Sequence, residues 1–492
     1  MIHFEKIKSN IINNTSIIIF FLFVLIYFSF GLFLSYYSHL VTDLNYDIIY
    51  SIDSGATFWQ LFINDRIAAM KHPLIHILLN PIIFLLKEYI SNPKLLSVIM
   101  QSILQSFVVV CIYKILFTLT DKKGLSVLFA LLYGFSYTVL LLTTFTDVYV
   151  YAAFGQILFL SYFLHCYKNP DNKLNFTNKI ILVILSVIGY GINLINIVSC
   201  GIFIIILLYK EHKKQWKLIV KDIIKIAATI AISIGILLIC QNFVFNIIDR
   251  TSGVGHVRLG YEKGKIMNTL KGTYVEPLYA LKSSATIELN EYEKQDGSKV
   301  YLPRYLTLDN QNKYKFFPAI LLFFIPIIFY IKRYKQYRNK FIINILMLLM
   351  GLYTFFNYSF YSFECALFAL NYFPFLIILL GLLYENIKFK GFRNYIISLF
   401  LIYEIAINIY NLFEIHKFLS NYETLEHSYI FCALISVITV FFAFVFICLL
   451  KNIPEFQNNK FCIKAPYSLG LSIYSAIVIF YIIFGCVTRL IT

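Results

Sequence analysis

Long apolar runs alternate with short polar segments along this chain. A helix of about 20 apolar residues crosses the hydrocarbon core of a bilayer, and the run "SIIIFFLFVLIYFSFGLFLSYY" near the N-terminus reaches that length. The run lacks a small-residue cleavage site, so we expect a retained membrane anchor over residues 17–37. Further spans are predicted at residues 95–118, 125–145, 148–167, 223–245, 316–331, 341–358, 372–383, 395–413, 429–450 and 469–487.

Two apolar segments do not fit a single crossing. Residues 73–86 cover about 21 Å as a helix, short of a bilayer core of roughly 30 Å, and Pro81 interrupts them. We interpret this segment as a half-inserted helix that returns to the outer face. Residues 180–209 have lysines on both sides, so we expect two short helices that turn near "GYGINLIN". The pattern predicts an all-α polytopic membrane protein with about 13 transmembrane helices, in a range of roughly 11 to 14.

Basic residues concentrate in short loops between the apolar runs. The clearest are "DKKG" at 121–124, "KEHKKQWK" at 210–217 and "KRYKQYRNK" at 332–340, and such loops mark the cytoplasmic face of a membrane protein. The net charge of +16 therefore reflects topology and attraction to anionic membrane lipid, and nucleic acid is not an expected partner. The abundance of Ile, Asn and Lys is typical of AT-rich bacteria, so we place the chain in a bacterial cytoplasmic (inner) membrane as a multi-pass protein.

This orientation divides the chain into three parts. Residues 1–245 form a transmembrane module with a first outer loop of interfacial helices at 38–94, residues 246–313 form a larger outer loop, and residues 314–492 form the C-terminal transmembrane helices. In the larger loop the alternation in "KVYLPRYLTL" predicts a strand, and "QDGS" predicts a turn. Both polar loops are therefore expected at the same, outward-facing end.

The first outer loop carries the most polar chemistry. It contains Asp53, then an amphipathic stretch with Arg66, then Lys71 and His72 in front of a proline. A carboxylate can act as a general base, and a helix that starts behind Lys71 and His72 would present backbone N–H groups to an oxyanion. The structural alternatives are that Asp53 caps a helix and that the lysine extends to the membrane interface.

Four more polar residues are predicted at the outer face. Asp147 lies in the tight turn of "TTFTDVYVYAAF", where it either caps the next helix or contacts a substrate. Glu364 lies at the outer boundary of a span and could line a cavity. Arg250 and Arg258 in the larger loop are candidates to compensate phosphate charge.

The order of these residues resembles that of the membrane glycosyltransferases of the GT-C class, in particular bacterial relatives of the protein O-mannosyltransferases and of the lipid A aminoarabinose transferase. Asp53 in the first outer loop is followed about twenty residues later by His72 and a proline at a short helix start, and Asp147 follows as a second acid. The turn "GYGINLINIV", which contains Asn196, is similar to an element of the bacterial members. The resemblance covers roughly the first 210 residues and implies a GT-C-like fold.

The resemblance implies an inverting enzyme that moves a hexosyl or pentosyl group from a polyprenyl-phosphate carrier to a hydroxyl of a glycan, lipid or protein acceptor. Asp53 would be the general base, and Asp147 would orient the acceptor or the sugar. A divalent metal is compatible with this chemistry but is not required, so no cofactor is assigned. Candidate contacts to the phosphate or to another part of the substrate are Arg66, Lys71, His72, Asn196, Arg250, Arg258 and Glu364.

Two other functions remain open at this stage. An envelope polysaccharide polymerase or ligase would depend on the arginines of the larger loop. A lipid or glycan transporter would show paired repeats and discontinuous helices that meet at the midplane, whereas the sequence shows polarity clustered at one face and no internal repeat.

Overall fold

The computed structural model describes residues 2–32, 61–62, 67–69, 72–144, 148–168, 174–213, 215–244, 248–250, 288–293, 299–304, 317–360, 367–387, 393–394, 396–398, 400–402 and 404–405. The helices are α1 Ile2–Gly31, α2 Ile75–Lys87, α3 Pro93–Thr120, α4 Lys123–Phe135, α5 Tyr137–Thr144, α6 Tyr149–Lys168, α7 Phe176–Ile192, α8 Ile197–Glu211, α9 Trp216–Val244, α10 Phe317–Lys332, α11 Lys340–Phe360 and α12 Phe373–Glu385. Short 3₁₀ helices cover Leu194–Asn196, Tyr334–Gln336 and Leu367–Asn371, and the strands are β1 Ile67–Ala69, β2 Ile248–Arg250, β3 Glu288–Glu293 and β4 Lys299–Arg304.

The chain is predominantly helical and has the helices of a membrane protein. Four helices in the described ranges are long and apolar enough to cross a bilayer: Pro93–Thr120, Tyr149–Lys168, Leu194–Glu211 and Trp216–Cys240. A fifth is added if α4 and α5, which are bent by 53° relative to each other, count as one span. The larger count of about 13 stays a prediction, and the spans expected at 429–450 and 469–487 lie outside the described residues.

Helix α3 forms the centre of the helical packing. It lies against α1, α4, α6 and α12, and three of its hydroxyl groups bond to its own backbone. The hydroxyls of Ser102, Ser106 and Thr120 donate to the carbonyl oxygen four residues earlier, at 2.6, 2.6 and 2.7 Å. A polar atom inside an apolar bundle needs such a partner, and the helix therefore keeps these residues at little cost.

The basic loops lie together at one end of the bundle, which we call the basic end. Arg338 donates to the Asp121 carboxylate at 3.1 Å, which joins the loop before α4 to the loop before α11. The Lys168 ammonium donates to the Thr118 carbonyl at 2.9 Å, and Lys210 donates to the Tyr167 carbonyl. The expectation that these loops share one face is confirmed, whereas the membrane side that they face stays a prediction.

Helices α7 and α8 form the short hairpin predicted around "GYGINLIN". They have 17 and 15 residues, and both ends of the hairpin lie at the basic end. There Lys179 of α7 lies 2.9 Å from Asp222 of α9 and 3.5 Å from Glu211 of α8. His212 lies 3.1 Å from the same Asp222 oxygen. These ion pairs tie the base of the hairpin to the start of α9.

Helix α2 connects the far end of this hairpin to the start of α3. The hairpin helix α7 extends about 25 Å from the basic end, whereas α3 extends about 42 Å. Helix α2 begins against the hairpin and is about 20 Å long, and the start of α3 follows it closely in the chain. Helix α2 thus leads from the hairpin to the start of α3, and the half-inserted placement expected for residues 73–86 stays a prediction.

The single span predicted at 125–145 is instead broken into α4 and α5 at Ser136. The backbone of Ser136 is extended, with φ −61° and ψ 144°, so the helical hydrogen bonds stop there. The Tyr27 hydroxyl donates to the Gly134 carbonyl at 2.9 Å, and the Ser136 carbonyl accepts the first bond of α5 from the amide of Leu140 at 3.0 Å. Both sides of the break are therefore satisfied, as an apolar environment requires.

Two small sheets modify the all-α expectation. Strands β3 and β4 pair in antiparallel, with Glu288 opposite Arg304 and Glu293 opposite Lys299, which confirms the strand predicted from "KVYLPRYLTL" over Lys299–Arg304. Strands β1 and β2 pair in parallel, with Ile67 opposite Ile248 and Ala69 opposite Arg250. Since β1 belongs to the first polar loop and β2 to the larger one, the expectation that these loops share one end is confirmed for their paired strands.

Candidate functional site

Three motifs that are far apart in the sequence meet at the end of the α7–α8 hairpin. These are "HPL" at 72–74 before α2, "VYVYAAF" at the start of α6, and "GYGINLIN" between α7 and α8. We call residues 189–196 the hairpin tip. Because the base of the hairpin is at the basic end, its tip points toward the opposite end of the bundle.

The hairpin tip is shaped by its asparagines. Asn193 ends α7 with extended backbone, φ −151° and ψ 121°, and its side-chain oxygen accepts from the amide of Ile195 at 3.2 Å. This bond satisfies the first turn of the 3₁₀ helix Leu194–Asn196 that leads into α8. The reversal is thus made within four residues and keeps its backbone groups bonded.

His72 is fixed against the hairpin tip. Its ring is 8% exposed, and its Nδ1 lies 2.7 Å from the carbonyl oxygen of Ile192, the last residue of α7. A carbonyl oxygen only accepts, so Nδ1 carries the proton that forms this bond. The carbonyl end of a helix also carries partial negative charge, which favours a donor at this point.

The backbone beside His72 is held by the same turn. The amide of Leu74 donates to the Gly191 carbonyl at 2.9 Å. The two segments are so close that a Cβ on Gly191 would lie 2.7 Å from the Cβ of Leu74. That distance is shorter than real Cβ contacts allow. A glycine is therefore required at position 191, and the contact fixes the start of α2 to the tip.

The expected anion site at the start of α2 is wrong in part. Pro73 was predicted at the first helical position, but the helix begins at Ile75. The amides that were expected to face an oxyanion have partners, since Leu74 donates to Gly191 and Ile75 donates to the His72 carbonyl at 3.2 Å. The chain at His72 turns back onto the hairpin, and the backbone N–H groups of Leu74 and Ile75 are hydrogen-bonded within this turn.

His72 also faces the start of α6. The rings of His72 and Tyr149 meet edge to face, with centroids 6.4 Å apart. Helix α6 begins at Tyr149, two residues after Asp147 in the sequence. Asp147 itself lies outside the described residues, so its expected role stays a prediction; what the structure gives is the meeting of the "HPL" segment with the helix that follows Asp147.

A further segment reaches the hairpin tip from the C-terminal half. The 3₁₀ helix Leu367–Asn371, which follows Glu364 in the sequence, packs on α6. The side-chain nitrogen of Asn193 donates to the side-chain oxygen of Asn371 at 3.1 Å, and both residues are buried. Glu364 lies outside the described residues, and its role as a cavity-lining acid stays a prediction.

Asn196 lies in a buried polar network rather than at a surface. It is fully buried, its side-chain nitrogen donates to the Gly189 carbonyl at 3.2 Å, and its side-chain oxygen accepts from Gln156. Gln156 also donates to the Tyr353 hydroxyl at 2.8 Å, which donates to Ser199 at 3.1 Å. The side chain of Asn196 thus holds the hairpin tip in this structure, and its predicted contact with substrate stays a prediction.

Gln156 and Tyr353 were missed in the sequence. Both lie inside long apolar helices, where a single glutamine or tyrosine is more often a packing residue. The available signal was that polar residues within apolar spans need partners, but the sequence does not say which helices supply those partners.

The remaining candidates belong to the two polar loops. Arg250 is the last residue of β2, and its backbone lies beside Ala69 of β1 in the first loop. Through this pairing the backbone of the larger loop contacts Ala69, which precedes His72 by three positions in the sequence. The candidates Asp53, Arg66, Lys71 and Arg258 lie outside the described residues.

A possible metal-ligating group lies away from this site. Among the described residues, one ligand atom each from Glu211, His212 and Asp222 falls within 4.8 Å of the others. This group is at the basic end, at the opposite end of the hairpin from His72, and the Lys179 ammonium already lies between its two carboxylates. We therefore treat it as an ion-pair cluster, separate from the candidate site.

The site can present an imidazole of fixed tautomer at the meeting point of three segments. A neutral imidazole can accept a proton, and a protonated one can donate to an anionic oxygen such as that of a phosphate. No protein-family model matches the chain, and neither a curated protein nor a solved structure is significantly similar to it.

Proposed function

We propose that this protein is a membrane glycosyltransferase of the cell envelope. It transfers a sugar from a polyprenyl-phosphate carrier to an acceptor hydroxyl at the outer face of the bacterial cytoplasmic membrane, with inversion at the anomeric carbon. The active site lies at the hairpin-tip end, and the basic end faces the cytoplasm. A GT-C-like arrangement of about 13 helices belongs to the same proposal.

The observation that carries the proposal is the meeting of His72 with Ile192 and Tyr149. The resemblance to glycosyltransferases rests on three short segments, and these residues belong to or adjoin all three of them. Three segments that are far apart in the sequence thus come together at one polar point of the bundle. The pairing of β1 with β2 supports the proposal further, because it adds the larger loop to the same region.

In the proposed reaction the acceptor oxygen attacks the anomeric carbon of the carrier-bound sugar. The bond between the acceptor oxygen and this carbon forms while the bond from the carbon to the phosphate oxygen breaks. The acceptor proton passes to the Asp53 carboxylate, and the electron pair of the broken bond remains on the polyprenyl phosphate. His72, Lys71 and Arg66 compensate the charge of that phosphate, and Asp147 orients the acceptor or the sugar.

The β1–β2 pairing also favours a second candidate function. It places the backbone of Arg250 beside the first polar loop, where an arginine could bind the diphosphate of a lipid-linked glycan. A polysaccharide polymerase or ligase would use this arginine, together with Arg258, to extend or transfer a chain.

Substitution of Asp53 tests the main proposal. Membranes that contain the protein are given a radiolabelled polyprenyl-phosphate sugar library, and label in the water-soluble or acceptor fraction is measured. Asp53→Asn caps a helix about as well as Asp does, so the variant should fold, yet it should lose on the order of 10²- to 10⁴-fold in transfer rate.

The matched variant is Arg250→Ala. If the protein is a glycosyltransferase, Arg250→Ala weakens donor binding and Asp53→Asn stops the transfer reaction. If it is a polymerase, Arg250→Ala abolishes chain extension and Asp53→Asn leaves chain extension intact. Full transfer activity of Asp53→Asn overturns the assignment of the base. Flux of a labelled lipid-linked sugar without any covalent transfer indicates a transporter instead.

A further inference from the structure

We propose that Gln156 is a positioning residue, which holds the hairpin tip so that the His72 imidazole is directed at the donor phosphate. The inference deepens the proposed function and rests on it for the identity of the ligand. Its structural part, that Gln156 controls the position of His72, can be tested without any sugar transfer.

Gln156 bonds to the hairpin tip and to a helix on its other side. Its side-chain nitrogen donates to the side-chain oxygen of Asn196 in the tip and to the hydroxyl of Tyr353 in α11. Tyr353 in turn donates to Ser199, whose hydroxyl donates to the Asn196 carbonyl at 2.9 Å. The network therefore closes on itself, and Gln156 is the residue that joins α6 and α11 to the tip.

The network is buried and tightly packed. Gln156 is 2% exposed and Asn196 and Tyr353 are fully buried. On the same helix Gly155 faces Gly189, with only 3.9 Å from a Cβ at position 155 to the Cα of Gly189. Helix α6 therefore approaches the hairpin closely at this level, and a loss of the bonds cannot be offset by water without movement of the helices.

The other side of the same tip holds His72. The carbonyls of Gly191 and Ile192 accept from Leu74 and from His72 Nδ1. These two residues lie between Gly189 and Asn196, which are bonded to each other, and Asn196 is also bonded to Gln156. A shift of the tip must therefore move both acceptors. The position of His72 thus depends on Gln156, although the two side chains belong to different segments and no bond joins them in this structure.

Gln105 provides a matched control in the same protein. It is fully buried in α3, its side-chain nitrogen donates to the Tyr133 hydroxyl at 2.9 Å, and its side-chain oxygen, like that of Gln156, has no hydrogen-bond partner. Gln105 does not bond to the hairpin tip. Gln156→Met and Gln105→Met each remove a buried Gln–Tyr bond at nearly constant volume, and only Gln156→Met releases the tip.

The experiment measures the reactivity of His72 with diethyl pyrocarbonate. The full-length protein and both variants are reconstituted in lipid nanodiscs, and the rate of His72 modification is followed by mass spectrometry with and without farnesyl phosphate. We expect Gln156→Met to raise the rate for His72 by on the order of tenfold, the factor that corresponds to the loss of neutral buried hydrogen bonds, whereas Gln105→Met leaves it at the wild-type value. Farnesyl phosphate should protect His72 in the wild type and in Gln105→Met, and protect it less in Gln156→Met.

The outcomes separate the two proposals. An unchanged His72 rate in a folded Gln156→Met, or an equal rise in Gln105→Met, overturns the positioning role. A specific rise in Gln156→Met with no protection by farnesyl phosphate in any protein supports the positioning role and counts against the phosphate-dependent function. If Gln156→Met does not fold, Tyr353→Phe removes the neighbouring hydroxyl with a smaller change and is expected to raise the His72 rate in the same direction, and an unchanged rate in that variant is also contrary to the proposal.

Discussion

The Nδ1 of His72 lies 2.7 Å from the carbonyl oxygen of Ile192, across 120 residues of sequence. This bond joins the start of α2 to the end of α7 and sets which ring nitrogen carries the proton. Nδ1 therefore belongs to the hairpin contact, and the proposed contact with the donor phosphate is assigned to the other ring nitrogen, Nε2. Substitutions that mimic one nitrogen at a time can test this division.

His72→Asn and His72→Gln form such a pair. The amide nitrogen of Asn can take the place of Nδ1 and donate to Ile192, whereas that of Gln reaches farther, toward the place of Nε2. We expect His72→Asn to keep the thermal stability of the wild type and to lose on the order of 10- to 100-fold in kcat/KM for the sugar donor. His72→Gln should lose stability and retain more of the donor binding.

Thermal unfolding in detergent and donor titration of the transfer rate give the two readouts. Wild-type kcat/KM in His72→Asn would show that Nε2 has no part in the reaction. Equal stability in both variants would show that the bond to Ile192 contributes little to the fold.

Gly191→Ala tests the close contact between the hairpin tip and α2. A Cβ at this position would lie 2.7 Å from Leu74 Cβ and 3.0 Å from Leu78 Cδ1, and relief of that overlap must separate the two segments. We expect a loss of about 1–3 kcal/mol in the free energy of unfolding, the usual effect of overpacking. The measurement is the unfolding temperature of the protein in detergent.

Gly201→Ala is the control for this change. Gly201 lies in α8 with open space where its Cβ would be, and alanine favours a helix over glycine by about 0.5–1 kcal/mol. This variant should be as stable as the wild type or slightly more so. A Gly191→Ala protein as stable as Gly201→Ala would mean that Leu74 and Gly191 are not in contact.

The outline of the hairpin and the grouping of the basic loops could be predicted from the sequence. Residues 180–209 are longer than one crossing needs, and the lysines on both sides favour a return to the same end. Such a prediction needs only length and charge. The α3 and α6 spans follow for the same reason, and their observed ends differ from the expected ones by about two residues or fewer, since apolar runs end where polar residues begin.

The break at Ser136 and the network of Gln156 could not be predicted in this way. Residues 125–145 carry no charged side chain, and at the break the Gly134 carbonyl accepts from Tyr27 of another helix. Gln156 likewise gains its role from Tyr353, 197 residues away. Both features depend on partners that only the folded chain brings together. Hydrophobic pattern and charge carry no information on such pairs.

The ion pairs at the two edges of the basic end should differ in their effect on stability. Lys179 and Asp222 are 29% and 18% exposed at a distance of 2.9 Å, whereas Arg338 and Asp121 are 67% and 49% exposed at 3.1 Å. Lys179→Met leaves two carboxylates facing each other without their cation and should cost about 1 kcal/mol in the free energy of unfolding. Arg338→Met removes a pair in water and should cost less than about 0.5 kcal/mol.

Salt adds a second measurement to this comparison. Exposed pairs are screened at high ionic strength and partly buried ones much less. The stability difference between Lys179→Met and the wild type should therefore persist at 1 M salt, an ionic strength at which the screening length falls to about 3 Å. A difference that vanishes in salt would show that the cluster at the base of the hairpin is solvated, like the pair of Arg338.

The contact between the two polar loops can be tested by a disulfide between β1 and β2. Ala68 and Asp249 are opposite each other in the parallel pairing, and neighbouring strands are about 4.8 Å apart, within the Cα separation of about 4.4–6.8 Å that a disulfide accepts. We expect Ala68→Cys with Asp249→Cys to cross-link under mild oxidation in intact membranes, with a mobility shift on a non-reducing gel and a linked peptide in the mass spectrum.

Ala68→Cys with Lys217→Cys is the control, because Lys217 is exposed in the first turn of α9 at the basic end. A link in both pairs, or in neither, would mean that the strands do not pair as described. A link in the first pair alone, formed by an oxidant that does not cross the membrane, would also place both loops on the outer side and the basic end on the inner one.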